Sequence, residues 1–72
     1  MLNVQMFKGK VVERGLTLGA VANAINIDKS TMSRKLSNDG DEFTIKQADA
    51  LVKLLALTPD EAMAIFFSQF VA

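Results

Sequence analysis

The chain contains no cysteine and no histidine. Without cysteine there is no disulfide framework, no thiolate nucleophile and no cysteine-held zinc. Without histidine the usual general base and the commonest metal ligand are missing. Strand signals are also absent: no alternating run of β-branched residues and no aromatic–turn–aromatic hairpin pattern occurs. No apolar run approaches membrane-spanning length, and the N-terminal MLNVQMFKGK lacks the basic-then-apolar order of a secretory signal. These absences predict a cytoplasmic protein that needs no cofactor, no metal and no small-molecule ligand. What remains is 72 residues, half of them apolar, enough for one domain near the lower size limit of a self-supporting core.

The formal net charge is zero and the pI about 6.1, which argues against a general polyanion binder. The distribution is uneven. Residues 1–36 carry six bases against two acids, a net +4, and residues 37–72 carry two bases against six acids, a net −4. Such asymmetry favours oriented docking of one basic face on an anionic partner.

Helical periodicity dominates. A first helix is predicted from about Asn3 to Arg14, with Val4, Phe7 and Val11 inward and Gly15 as a left-handed stop. Gly9 within it marks either a close contact or a weak point, since glycine costs about 1 kcal/mol relative to alanine there. Lys8, Lys10 and Arg14 read as a solvated face, with flanking phosphate contact the less favoured role. Arg14 is expected either to pair with Asp28 or to cap its own helix. Thr17 caps a second helix, LGAVANAI, with Val21, Ala22 and Ile25 inward. Asn26 tolerates the left-handed turn that follows, Ile27 enters the core, and Asp28 caps a third helix. SNDGDEF has turn chemistry, its acids solvating a loop. Thr44 with Gln47 makes a capping box for a fourth helix whose apolar stripe is Ile45, Ala48, Leu51, Val52 and Leu55. Thr58 with Glu61, and Pro59 at the first helical position, open a fifth helix to about residue 71. The fold class is all-α, a compact bundle of about five short helices.

The segment DKSTMSRKL, residues 28–36, carries the functional signal. On a helical wheel Met32 and Leu36 share one side, and Ser30, Ser33, Arg34 and Ser37 the other. Thr31 lies on a flank, with Lys29 and Lys35 near the edges. Small hydroxyls permit close approach to base edges, arginine pairs bidentately with guanine, and flanking lysines meet phosphates. A short helix presenting Ala22, a turn at Asn26–Ile27 and then this helix make the order of a helix-turn-helix over residues 17–36.

GLTLGAVANAINIDKSTMSRKL resembles the helix-turn-helix of the phage Cro/repressor (XRE) family, and FTIKQADALVKLLALTPDEAMAIFF looks more loosely like its later helices. The resemblance implies a lambda-repressor-like DNA-binding domain whose second motif helix enters the major groove of operator DNA. By position, Lys29, Ser30, Ser33 and Arg34 become the base-reading residues. Thr17, Thr31, Lys35, Ser37 and Asn38 become contacts to the DNA backbone. Leu18 stands where the family usually has glutamine, and Asn26 where it usually has glycine.

The C-terminal EAMAIFFSQFVA places Ala62, Met63, Phe66 and Phe70 on one stripe, with Ile65 and Phe67 to either side. An apolar arc wider than one small bundle needs points to a partner surface. Met63, Phe66, Phe67 and Phe70 are therefore the expected homodimer interface, which suits paired half-sites on double-stranded DNA. No nucleophile–base set, phosphate loop or metal cluster can be assembled, so no enzymatic activity is expected. The sequence thus predicts a single-domain, Cro-like repressor of phage or prophage type. Its rival is a protein-interaction module, an antitoxin or antirepressor, working through the C-terminal helix.

Overall fold

Every helix begins where a short polar side chain satisfies amides that the helix itself leaves free. The computed structural model describes residues 2–37 and 43–67. These form α1 (Val4–Glu13), α2 (Leu18–Ala24), α3 (Lys29–Leu36), α4 (Ile45–Leu54) and α5 (Pro59–Phe66). Asn3, Thr17 and Asp28 accept from the amides of Met6, Ala20 and Thr31 at 3.1, 3.1 and 2.7 Å. Thr44–Gln47 and Thr58–Glu61 close full capping boxes. The domain is all-α, as predicted. Among the described residues no helix is long and apolar enough to cross a membrane.

Three helices end the same way. After α1, α2 and α4 a residue with positive φ follows the cap: Gly15 at 71°, Asn26 at 64° and Ala56 at 51°. The next amide then reaches back to the helix, from Leu16 to Val11, Ile27 to Ala22 and Leu57 to Val52, each at 3.0 Å. Each corner is a Schellman stop, in which the residue after the turn is apolar and drops against the last helical turn. Leu16 and Ile27 are partly buried against the core and Leu57 is buried in it. One residue later comes the next N-cap: Thr17, Asp28 or Thr58.

The core gathers Phe7 and Val11 of α1, Val21 and Ala22 of α2, Met32 and Leu36 of α3, Leu51 of α4 and Ile65 of α5, together with Leu55 and Leu57. Fully burying one such large side chain stabilises by about 1.5–3 kcal/mol. Long-range polar links stitch α1 to the C-terminal half. The Asn3 amide donates to the Ile65 carbonyl at 2.7 Å, and Lys10 pairs with Glu61. Arg14 Nε donates to the Leu55 carbonyl at 2.7 Å, with Nη2 3.4 Å from the Ala56 carbonyl.

Several expectations change. Arg14 caps the end of α4, neither its own helix nor Asp28, because the close of α1 lies against the α4–α5 corner. Ile45 does not join the apolar stripe of α4. It is 90% exposed, since the first residue of the helix projects beyond the core that Leu51 and Leu55 fill. A Cβ at Gly9 would meet nothing within 4 Å, so no close contact explains that glycine. The fifth helix is described over Pro59–Phe66, with Phe67 as its C-cap, and the remainder of the expected span to residue 71 lies outside the described residues.

Candidate nucleic-acid interface

α3 is held from beneath and capped in front, which leaves one side of it open. Met32 and Leu36 are buried, and α2 is the helix against which α3 packs most extensively. Ala22 of α2 is also buried, and its small side chain allows the two helices to approach. The connection through Ile25–Asp28 is short because Asn26 takes the left-handed conformation.

The open side carries Lys29, Ser30, Ser33, Arg34 and Ser37, all exposed, with Thr31 and Lys35 half-buried on its flanks. Asp28 organises the front of the helix. Its Oδ1 accepts from the Ser30 hydroxyl at 3.0 Å as well as from the Thr31 amide. Hydrogen bonds from Thr31, then from Ser30, hold the Asp28 carboxyl below its ordinary pKa. Arg34 Nη2 lies 3.4 Å from the Thr31 hydroxyl, a long contact that steers the guanidinium along the helix without consuming it. At the rear the Ser37 hydroxyl donates to the Arg34 carbonyl at 2.8 Å. Lys35 runs inward, its ammonium 5.6 Å from the centre of the Phe43 ring.

α2 adds its own N-terminus to this side. A Cβ built on Gly19 would come within 4.0 Å of Lys29 Cδ and 3.9 Å of Thr17 Oγ1, so the lysine stem lies beside the start of α2. The Thr17 hydroxyl is already engaged in capping. Leu18 is partly buried against the core and anchors that start. Asn38 lies outside the described residues. Thr44, Lys46 and Gln47 at the opening of α4 line a shallow groove of about 400 Å³ with Asn26 and Ile27. No sequence spacing places Lys46 near the α2–α3 turn, because that proximity is purely tertiary.

The bases differ in what they face. Lys10 meets Glu61 and, at 3.2 Å, Glu13. Arg14 meets Glu13 at 3.6 Å and Lys53 meets Asp49 at 3.0 Å. Among the described residues Lys8, Lys29, Arg34 and Lys46 have no carboxylate within ion-pair distance.

In the last helix, α5 turns Ile65 fully into the core. Phe66 is half-buried, with its ring 6.3 Å from Phe43 and nearly perpendicular to it. Met63 and Phe67, one helical turn apart, stay 46% and 48% exposed. Phe70 lies outside the described residues. The chain matches no family model, no curated protein and no solved structure.

Proposed function

We propose that this chain is a sequence-specific DNA-binding regulator of the Cro/repressor type, working in the cytoplasm as a transcriptional repressor. In this reading α2 and α3 act as a helix-turn-helix and α3 enters the major groove. The observation that carries it is the open side of α3, where Lys29, Ser30, Ser33 and Arg34 stand exposed on a helix pinned by buried Met32 and Leu36. Among the described residues neither base there has a carboxylate within ion-pair distance, so binding an anionic duplex breaks no ion pair among them. Arg34 is the residue suited to bidentate reading of guanine, the serines allow the backbone to come close, and Lys29 serves a base edge or an adjacent phosphate.

Met63 and Phe67 supply the apolar centre for pairing two copies, which sets two α3 helices on half-sites of an inverted repeat roughly 34 Å apart. The test is selection from a pool of random duplexes at low salt, followed by sequencing. A two-fold symmetric site is the expected product. A single half-site would remove pairing on DNA, and no enrichment would remove the DNA reading.

The same two exposed apolar side chains favour a second reading, a module that grips a partner protein through α5. Salt separates the two. Phosphate contacts make affinity fall steeply as salt rises, whereas an apolar grip by Met63 and Phe67 is insensitive to it.

A further inference from the structure

We infer that Phe43 is a positioning residue for α3, holding the C-terminal half of that helix through Lys35. The inference rests on the DNA-reading proposal for its functional consequence, though not for its geometry. The front of α3 has its own fixings: the Asp28 cap, Met32 in the core and α2 alongside. Its rear has Leu36 and the Ser37 hydroxyl on the Arg34 carbonyl, and beside them the Lys35 ammonium 5.6 Å from the Phe43 ring centre. A cation over an aromatic face is drawn to it by the ring quadrupole.

The ring is in turn held from two other helices. Phe7 of α1, fully buried, lies 5.9 Å away at 38°, and Phe66 at the end of α5 meets it edge-on at 84°. Phe43 is thus where α1, α3 and α5 meet through aromatic contacts, and Lys35 is the α3 side of that junction. Arg34 immediately precedes Lys35 in α3. A change in where Lys35 rests turns the rear of α3 and carries the Arg34 guanidinium with it. Simple space-filling would not require an aromatic here. Leucine fills a half-buried apolar site but offers a cation no π face.

The experiment is a cycle of Phe43→Leu, Phe43→Tyr and Lys35→Met in the full chain, with affinity measured on the duplex that the wild type selects. Phe43→Leu should weaken binding by about threefold to tenfold and relax discrimination at the base read by Arg34, while Phe43→Tyr keeps both. In the Lys35→Met background, Phe43→Leu should change affinity by less than about twofold, because the partner through which it acts is gone. Equal losses in both backgrounds, or a tyrosine variant as impaired as leucine, would overturn the inference.

If the wild type selects no duplex, the DNA reading falls and this inference is decided on the free protein. Amide exchange at Leu36 and Ser37 should then speed up by about threefold to tenfold in Phe43→Leu, and not in Phe43→Tyr. Unchanged exchange in the leucine variant would overturn it. Phe43→Met takes the place of the leucine variant if that chain fails to fold.

Discussion

Lys10 in α1 with Arg14 at its C-cap, and Lys29 and Arg34 in α3, are the same two residue types at two short helices, and they face opposite situations. The α1 pair is absorbed by the fold: Lys10 ties α1 to α5 through Glu61, and Arg14 caps the carbonyls that close α4. The α3 pair is exposed and has no carboxylate within ion-pair distance among the described residues. Net charge by halves treats these four residues alike. Geometry separates them, because a base already satisfied by a carboxylate or carbonyl must give that up to hold a phosphate. The positive surplus of residues 1–36 is therefore smaller, as a docking surface, than its sum implies.

The strongest way to break this contrast is to exchange the expected phenotypes. Arg14→Met should lower unfolding free energy by about 1.5–3 kcal/mol in denaturant melts, since the Leu55 carbonyl loses a charged donor, and should leave the salt dependence of DNA binding unchanged. Arg34→Ala should do the reverse. It should cost about 1–3 kcal/mol in operator affinity at one base position while leaving stability within about 0.5 kcal/mol. A destabilised Arg34 variant, or an Arg14 variant with a shallower salt slope, would collapse the distinction.

A finer test uses acid. The Glu61 carboxylate pairs with Lys10 and accepts a hydrogen bond from the Thr58 amide, which together lower its pKa from the ordinary 4.5 to about 2. A carboxyl depressed by folding contributes stability above its unfolded pKa, and that contribution is lost as pH falls through the folded value. Lys10, raised above 10.5 by the same contact, contributes below that value and loses its share in strong alkali. Stability should hold level at neutral pH and decline between about 4.5 and 2. Glu61→Gln should flatten that decline, leaving the smaller acid-side contribution of Asp28, read by circular dichroism across the titration. A variant that follows the wild-type curve would remove the ion pair from the account of stability.

The smallest effect lies beneath Arg14. Ala56 sits at φ 51°, where a side chain costs about 1–2 kcal/mol and glycine costs nothing sterically. Glycine loses more chain entropy on folding, so Ala56→Gly should gain less than about 1 kcal/mol, seen as a modest rise in melting temperature.

What the sequence revealed follows the reach of each interaction. Thr17, Asp28, Thr44 and Thr58 were legible as caps because each closes its hydrogen bond within three residues, and Asn26 was legible as a left-handed turn because few residues accept it. The open side of α3 follows from helical period alone, since Met32 and Leu36 fix which way it faces. Contacts between distant segments left no trace of that kind. Lys10 with Glu61, Arg14 with Leu55, and Phe43 between Phe7 and Phe66 have no sequence spacing to betray them. Ala56 carries no signal either, because alanine is a good helix former and its turn is imposed by Leu57 seeking the core. Ile45 misled because a wheel counts every position alike and a helix end does not.

The three repeated corners bear on how quickly the chain finds its fold. Each joins helical carbonyls to amides only five residues or fewer ahead, and each aims an apolar residue at the turn it has just completed. Closing such corners requires almost no search over distant parts of the chain. The three helix pairs they define can form early and separately, and the late events are the few long spans: Asn3 to Ile65, Lys10 to Glu61 and Arg14 to Leu55. Folding on the microsecond-to-millisecond scale of small helical domains is expected, with a transition state rich in corners and poor in ion pairs.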